Sequence, residues 1–391
     1  MRSLRVLRTG AWILALFFLP WLAACGGLPP RHGPFLRGVW VPRWDFKTRE
    51  DVERIVENCA SLGFDHILFQ VRGTADAFYR SDLEPWSDLL GGKDPGFDPL
   101  RTACERAHAL GLRIHAWVNV VPGWRGTKPP SSKKHLFYTH PEWFLVGRDG
   151  KRQPLKPDYY VGLNVCLPEV RAHITAVMAD IARRYDVDGI HLDYIRFLER
   201  KKGEDYPYDS RTLALYEKDT GLTPHMDPGR WNAWRRGCIN ELVRGISRAC
   251  RRVHPGVEIS AAVIKRMDHA REVLFQDARF WAEKGWVDAV YPMNYERSDL
   301  ERFASYCRET IRLRRYGVRV LEGIGVWLHD KNPSVAVKQI EIARREGADG
   351  VALFSYAALF PSAAPAEGLP DSKGMAGLRE ALKPFLCGIR P

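Results

Sequence analysis

From residue 36 onward, short apolar runs alternate with longer stretches whose apolar positions recur every three or four residues. The runs are LRGVWVP (36–42), HILFQVR (66–72), RIHAWVNV (113–120), GIHLDYIRF (189–197), VEISAAVI (257–264), DAVYPMNY (288–295), VLEGIGVWL (320–328) and GVALFSY (350–356). Their length and their Val, Ile, Tyr and Trp content predict strands. Between and after them, helices are predicted over REDVERIVENCASLG, DPLRTACERAHALG, PEVRAHITAVMADIARRY, WNAWRRGCINELVRGISRACRR, DARFWAEKG, DLERFASYCRETIRLRR, PSVAVKQIEIARREG and KGMAGLREALKPF. Several close on glycine (Gly63, Gly111, Gly285, Gly347), which readily takes the left-handed backbone that ends a helix.

Strands and helices in strict alternation predict an α/β fold whose parallel sheet closes into a single (β/α)8 TIM barrel. A doubly wound open sheet is the alternative, but it has fewer strands, and no G-x-G-x-x-G follows a strand here. In a barrel, chemistry gathers at the C-terminal strand ends and in the loops that follow. The longest such loops follow the third run (121–167) and the fourth (198–230). Both are rich in Trp, Tyr, Lys, Arg and Pro, which suits a wall or lid over an extended ligand.

Alternation assigns faces. In the fourth run His191 and Asp193 share one side, with Ile190, Leu192 and Tyr194 on the other. The apolar set is expected under the helices, so Asp193 should point into the barrel near its mouth. An unpaired buried carboxylate costs several kcal/mol, roughly, so Asp193 must be paired, exposed or used. By the same logic the third run offers His115, Trp117 and Asn119, and the first offers Trp40. The second ends in Gln70 and Arg72, the sixth in Asn294, Tyr295 and Glu296, the seventh in Gly323, Gly325 and Trp327, and the eighth in Phe354, Ser355 and Tyr356. Singly, each has a plain structural explanation: Asp193 could neutralise Arg72 or Arg196, and the histidines and tryptophans could be core. Gathered at one end, aromatic faces beside amides and carboxyls suit sugar rings, and glycosidases need carboxyl groups across the scissile bond.

The first residues have another character. MRSLRVLRTG is basic, AWILALFFLPWL is apolar, and LAAC ends at Cys25, the order of a secretory signal over residues 1–24. The ending is similar to a bacterial lipobox, which makes Cys25 the expected lipidated N-terminus and residues 25–35 a Gly/Pro-rich tether ahead of the domain at 36–391. Of eight cysteines, seven then remain, scattered without C-x-x-C or paired Cys/His spacing. That argues against a disulfide framework and a zinc site, so no metal and no cofactor is expected. The formal charge of +12 comes without a Lys/Arg block interleaved with aromatics, so no nucleic-acid partner is expected.

The segments RGVWV (37–41), FQVRGTADAFYRSDLEPWSDLLGG (69–92), DPGFDPL (94–100), HALGLRIHAWVN (108–119), DGIHLDYIRF (188–197) and YPMNY (291–295) resemble glycosyl hydrolase-like family 10 in order along nearly the whole mature chain. The resemblance implies a TIM-barrel glycoside hydrolase of the bacterial cell envelope. Some members are outer-membrane lipoproteins implicated in cleaving peptidoglycan glycan strands stripped of their peptides. It points to Arg72, Asp76, Trp117, Asn119, Asp193 and Tyr295 as site positions. Members often show Pro after the second-strand Arg and Asp-Asp-Tyr on the fourth strand; here Gly73 and a single Asp193 stand instead. A looser similarity to family 18 chitinases stops at His191 and Ile195, where those enzymes carry Asp and the acid Glu.

The expected function is therefore a lipid-anchored envelope glycoside hydrolase acting on amino-sugar polymer, with glycan and, through its lipid, the membrane as partners. Asp193 is the first candidate for acid/base, its pKa raised by the apolar strand, with Glu296 or Asp76 as the second carboxyl. The carbohydrate-binding candidates are Trp40, Arg72, Trp86, His115, Trp117, Asn119, His191, Asn294, Tyr295, Trp327 and Tyr356. Arg72 would meet the anionic lactyl group of muramic acid or hold a carboxylate in place. Two other classes remain open: a silent barrel that binds glycan and tethers a partner to the wall, and a deacetylase with metal on His115, His191 and Asp193.

Overall fold

The structure is a computed structural model that describes residues 33–157, 159–199, 203–361 and 371–387. The expected signal peptide and Cys25 lie outside them. Eight parallel strands close a barrel in the order β1-β10-β9-β8-β7-β6-β3-β2, with β1 paired to β2. They are β1 (Leu36–Val41), β2 (His66–Arg72), β3 (Arg113–Asn119), β6 (Gly189–Asp193), β7 (Glu258–Ile264), β8 (Ala289–Met293), β9 (Arg319–Gly325) and β10 (Gly350–Phe354). The predicted TIM barrel is thus present, strand for strand. Two further strands, β4 (Pro122–Arg125) and β5 (Tyr160–Gly162), form an antiparallel pair inside the long loop after β3.

The helices include α1 (Arg49–Ser61), α2 (Pro99–Ala109), the short α3 (Leu136–Thr139), α4 (Pro168–Arg184), α5 (Ser210–Thr220), α6 (Pro228–Val253), α7 (Met267–Val273), α8 (Ala278–Glu283), α9 (Leu300–Ile311), α10 (Pro333–Glu346) and α11 (Ser372–Leu386). Their starts are written in the sequence. Thr48 and Asp51 cap α1 reciprocally, and Asp98-Pro99 and Asp227-Pro228 open α2 and α6 with a side-chain acceptor and a residue that needs no N–H donor. The long loop expected after the fourth run (198–230) carries α5.

Two apolar cores follow from the period of two. One lies between sheet and helices and takes Val39, Ile67, Ile114, Ile190, Leu192, Val290 and Ile324 among many others. The other fills the barrel axis with Trp40, Leu68, Trp117, Ala289, Tyr291, Leu321 and Ala352. Each large side chain buried there contributes roughly 1.5–3 kcal/mol. The seven cysteines from Cys59 to Cys387 are free thiols, all but Cys387 buried.

Candidate active site

The axial core ends in a cleft at the C-terminal mouth. Its walls are Trp40, Arg43, Trp44, Gln70, Trp117, Asn119, Tyr160, Asp193, Tyr194, Arg196, Ala262, Met293, Tyr295 and Phe354. Strand register brings them together: Trp40 sits between Leu68 and Phe354, Trp117 between Gln70 and His191, and Asn119 beside Asp193. The narrow part encloses about 160 Å³ and continues into a broader groove of about 530 Å³ past Trp44, Arg125, Tyr159, Tyr160, Tyr194, Leu198 and Glu199.

Asp193 is the carboxyl group among the described cleft walls, and it is only 6% exposed. The Trp117 indole N–H donates to its Oδ2 at 3.2 Å and the Tyr194 amide donates to its Oδ1 at 2.6 Å. Burial pushes its pKa above the ordinary carboxylate range, while the Arg196 charge and these donors pull the other way without cancelling the shift. An Asp held in this way keeps a proton further toward neutrality than an exposed one. Trp117 and the Tyr194 amide hold the carboxyl in place.

Gln70 organises the opposite wall. Its amide donates to Asn119 Oδ1 at 3.1 Å, and its carbonyl oxygen accepts from Arg43 N and Nη1 at 3.1 and 3.2 Å. Arg43 also lies over the Trp44 ring at 5.1 Å and reaches the Tyr160 hydroxyl at 3.4 Å. Tyr295 stands half-buried against Phe354, with Trp327 edge-on to both at 5.1 and 5.4 Å. Below the mouth, Trp40 Nε1 donates to His191 Nε2 at 3.1 Å and His191 Nδ1 meets Ser260 Oγ at 2.9 Å. Burial lowers the pKa of His191, so it works as a neutral strut under Trp40.

Of the residues singled out from the sequence, Trp40, Trp117, Asn119, Asp193 and Tyr295 meet in the cleft, and Trp327 backs its wall. The others lie elsewhere. Arg72 does not face the mouth: the β2 register shifts between Gln70 and Arg72, and Arg72 pairs with Val118 of the outer face. A residue slipped past a bulge changes sides. Arg72 is instead fully buried against Glu84 at 2.7 Å and donates to the Asn119 and Val120 carbonyls. Burial alone would raise the Glu84 pKa, but Arg72 and His173 outweigh it and bring it to about 2.

Asp76 accepts from the Gly73 and Thr74 amides at 3.2 and 2.7 Å and so shapes the turn after β2. Asn294 and Glu296 flank Tyr295 and therefore face away from it. Asn294 donates to the Phe303 carbonyl at 3.1 Å, and Glu296 is held by Lys265 and by Arg302 at 2.9 Å, which together depress its pKa against the effect of burial. Neither proposed second carboxyl lines the cleft. Trp86 borders a separate surface groove, and Tyr356, in the turn after β10, accepts from Asn58 at 2.9 Å in the outer core.

His115 is buried a layer deeper, beside His66 at 5.6 Å, and His191 is engaged by Trp40 and Ser260, so the two do not converge with Asp193. Among the described residues no group of three His, Cys, Asp or Glu side chains could hold a metal ion.

Sequence reading missed Arg43, Trp44, Tyr160, Tyr194 and Arg196 as walls. Arg43 and Trp44 follow β1 directly, a position the barrel rule marks. Tyr194 was expected under the helices. Its backbone instead takes φ 49°, a left-handed turn that ends the alternation and swings the ring to the cleft, where it meets Tyr160 edge-on at 5.1 Å. Tyr160 arrives on the β4–β5 pair, which no local pattern marked.

Residues 35–324 match the family described as Glycosyl hydrolase-like 10. The chain is 26% identical over 295 residues to a glycosyl hydrolase, YngK, of Bacillus subtilis (strain 168), covering 66% of this chain and 54% of that protein. It is 28% identical over 268 residues to the glycosyl hydrolase DigH of Escherichia coli (strain K12), covering 61% and 56%. The chain thus spans about half the length of these relatives. Among solved structures, the PgaB (BpsB) glycoside hydrolase domain from Bordetella bronchiseptica superposes with a TM-score of 0.64 at 14% identity, over 90% of this chain and 99% of that one. That likeness carries the fold.

Proposed function

The chain belongs to glycosyl hydrolase-like family 10, and from that premise we propose that it is a glycoside hydrolase of the cell envelope acting on an amino-sugar polymer, peptidoglycan glycan strands without peptides. The observation that carries the reading is Asp193: a secluded carboxyl with raised pKa, oriented by Trp117, in a cleft walled by Trp40, Trp44, Tyr160, Tyr194 and Tyr295. Sugar rings stack their C–H faces on such walls, and Gln70 and Asn119 offer amide partners to hydroxyls. The narrow end suits the ring at the scissile bond and the groove beyond it suits the rest of a chain.

In this reading Asp193 gives its proton to the leaving glycosidic oxygen, and the resulting carboxylate recovers a proton from the attacking water. Glu296 and Asp76 are both committed outside the cleft, so the displacement is completed by a further carboxyl or by the substrate itself. A silent glycan-binding barrel would use the same aromatic walls. Incubation of the purified domain with peptide-free and peptide-bearing strands, with products read by mass spectrometry, separates the two. Shortened sugar products lost in Asp193→Asn are expected; binding without products overturns the enzyme reading.

We further propose that the protein is exported and anchored through lipid on Cys25, facing the periplasm from the outer membrane. The LAAC ending after a basic and then apolar segment supports this. Cys25→Ser should release the protein from membranes or block its processing. Unchanged membrane partition with an unchanged mature mass rejects the anchor.

A further inference from the structure

Among the described residues five arginines are buried, and they divide by location. Outside the cleft each has a shielded acid: Arg72 holds Glu84 at 2.7 Å, Arg235 holds Asp205 at 2.7 Å, and Arg314 holds Asp349 at 3.1 Å. Inside the cleft the pattern breaks. The acid Arg196 meets among the described residues, Glu199 at 3.0 Å from its Nη1, is 59% exposed, although Arg196 itself is 4% exposed. Its guanidinium lies over the Tyr194 ring at 4.6 Å. Arg43, 5% exposed, makes its hydrogen bonds to the neutral Gln70 and Tyr160.

Two buried guanidinium groups therefore line a cleft with one carboxyl, Asp193. A buried cation without a shielded acid is costly, and an exposed ion pair such as Arg196–Glu199 contributes little and is easily displaced. A planar anion is the shape a guanidinium fork binds with two hydrogen bonds.

We infer that Arg196, with Arg43 beside it, forms a subsite for a free carboxylate carried by the glycan, and that this subsite sets the specificity of the cleft; the inference rests on the glycosidase reading above. Two sources share that chemistry: a lactyl ether on an amino sugar and the C6 acid of a uronic sugar. A lactyl group bearing a peptide is an amide and offers no charge there, so such a subsite would favour peptide-free strands.

The test compares three ligands: peptide-free peptidoglycan strands, the same strands with lactyl carboxyls converted to methylamides, and hyaluronan oligosaccharides. Charge-assisted hydrogen bonds of this kind correspond to about a 10–100-fold change in KM. Methylamide formation should raise KM by that factor in the wild type. Arg196→Gln should raise KM for the free acid equally and leave the methylamide within about twofold, because the bond it removes is already absent there. Arg196→Lys should recover part of the loss. A better KM or Kd for hyaluronan than for the lactyl strands keeps the subsite and assigns it to a uronic acid.

Equal KM values for free acid and methylamide overturn the inference. So does an Arg196→Gln loss that is the same on both, which would mean that Arg196 acts through Asp193 instead. Should Arg196→Gln fail to fold, judged by its melting curve, the wild-type comparison decides alone. Should the wild type cleave nothing, the glycosidase reading fails, and calorimetric Kd values for the same ligands still decide the subsite.

Discussion

Glu258 and Asp193 both point into the barrel, Glu258 from the start of β7 and Asp193 from the end of β6. Their settings are opposite. Glu258 is ion-paired to Arg319 and, at 3.1 Å, to Arg113, with His66 and His115 close by. Burial would raise its pKa, yet these neighbours bring it down to about 2. Asp193 is as secluded, but its donors are an indole and an amide, and burial prevails. A buried carboxyl is therefore not a functional signal in itself. What matters is whether the fold has already spent its charge, and in this barrel the N-terminal end closes its charges while the mouth leaves them open.

The sharpest way to break this contrast is to neutralise each acid. Asp193→Asn should lower glycan cleavage by about two to four orders of magnitude, the usual size of an acid/base contribution, with binding retained. Its melting temperature should stay or rise, because the ionised form is the one burial penalises. Glu258→Gln should do the reverse, costing about 1–3 kcal/mol of stability with turnover intact well below the melting point. A stable, inactive Glu258→Gln beside an active Asp193→Asn would reverse the assignment of the two ends.

Arg72 sharpens the comparison from outside the barrel axis. Removing it by Arg72→Ala leaves Glu84 buried with His173 at 3.5 Å in place of a guanidinium, and should cost about 3–5 kcal/mol in denaturant unfolding. Arg196→Gln should cost far less, since its partner Glu199 is exposed. Equal losses would mean that both arginines serve the fold alone.

Glu322 offers a third kind of buried acid, held by Thr310 and Asn294 rather than by a cation. Burial pushes it up to about 7 from an ordinary 4.5, with those donors pulling down. The folded state then binds this proton more tightly than the unfolded chain. Its contribution is complete at acidic pH and is lost as pH rises through 7, by about 3 kcal/mol in all. Glu322→Gln should flatten the stability profile between pH 5 and 8 without moving the pH dependence of cleavage. A profile unchanged by the substitution would show that the group titrates normally.

Much of this was legible locally. The alternation of strand and helix gave the barrel, and the period of two put His115, Trp117 and Asn119 of β3 on the same inward face as His191 and Asp193 of β6. That same period separates Tyr295 from Asn294 and Glu296, so the two flanking residues could have been set aside from the sequence alone. Arg72 could not, because a register shift leaves no mark in composition. Nor could Tyr194, whose left-handed backbone suspends the alternation at the one residue that follows Asp193.

What the sequence by itself determined is whatever short-range periodicity and capping dictate: the elements, the inward faces and the end of the barrel where Asp193 would stand. The tertiary structure decided which charges are satisfied. Glu84 comes from the turn after β2, Glu258 from a strand far along the chain from Arg113, and Tyr160 from a strand pair folded over the mouth. Pairing at such separations depends on closing the barrel, since neither partner's neighbours in the chain encode the other's position. That closure puts Asp193 and Arg196 in one cleft, with Arg196 ion-paired to the exposed Glu199 and Asp193 held by an indole and an amide.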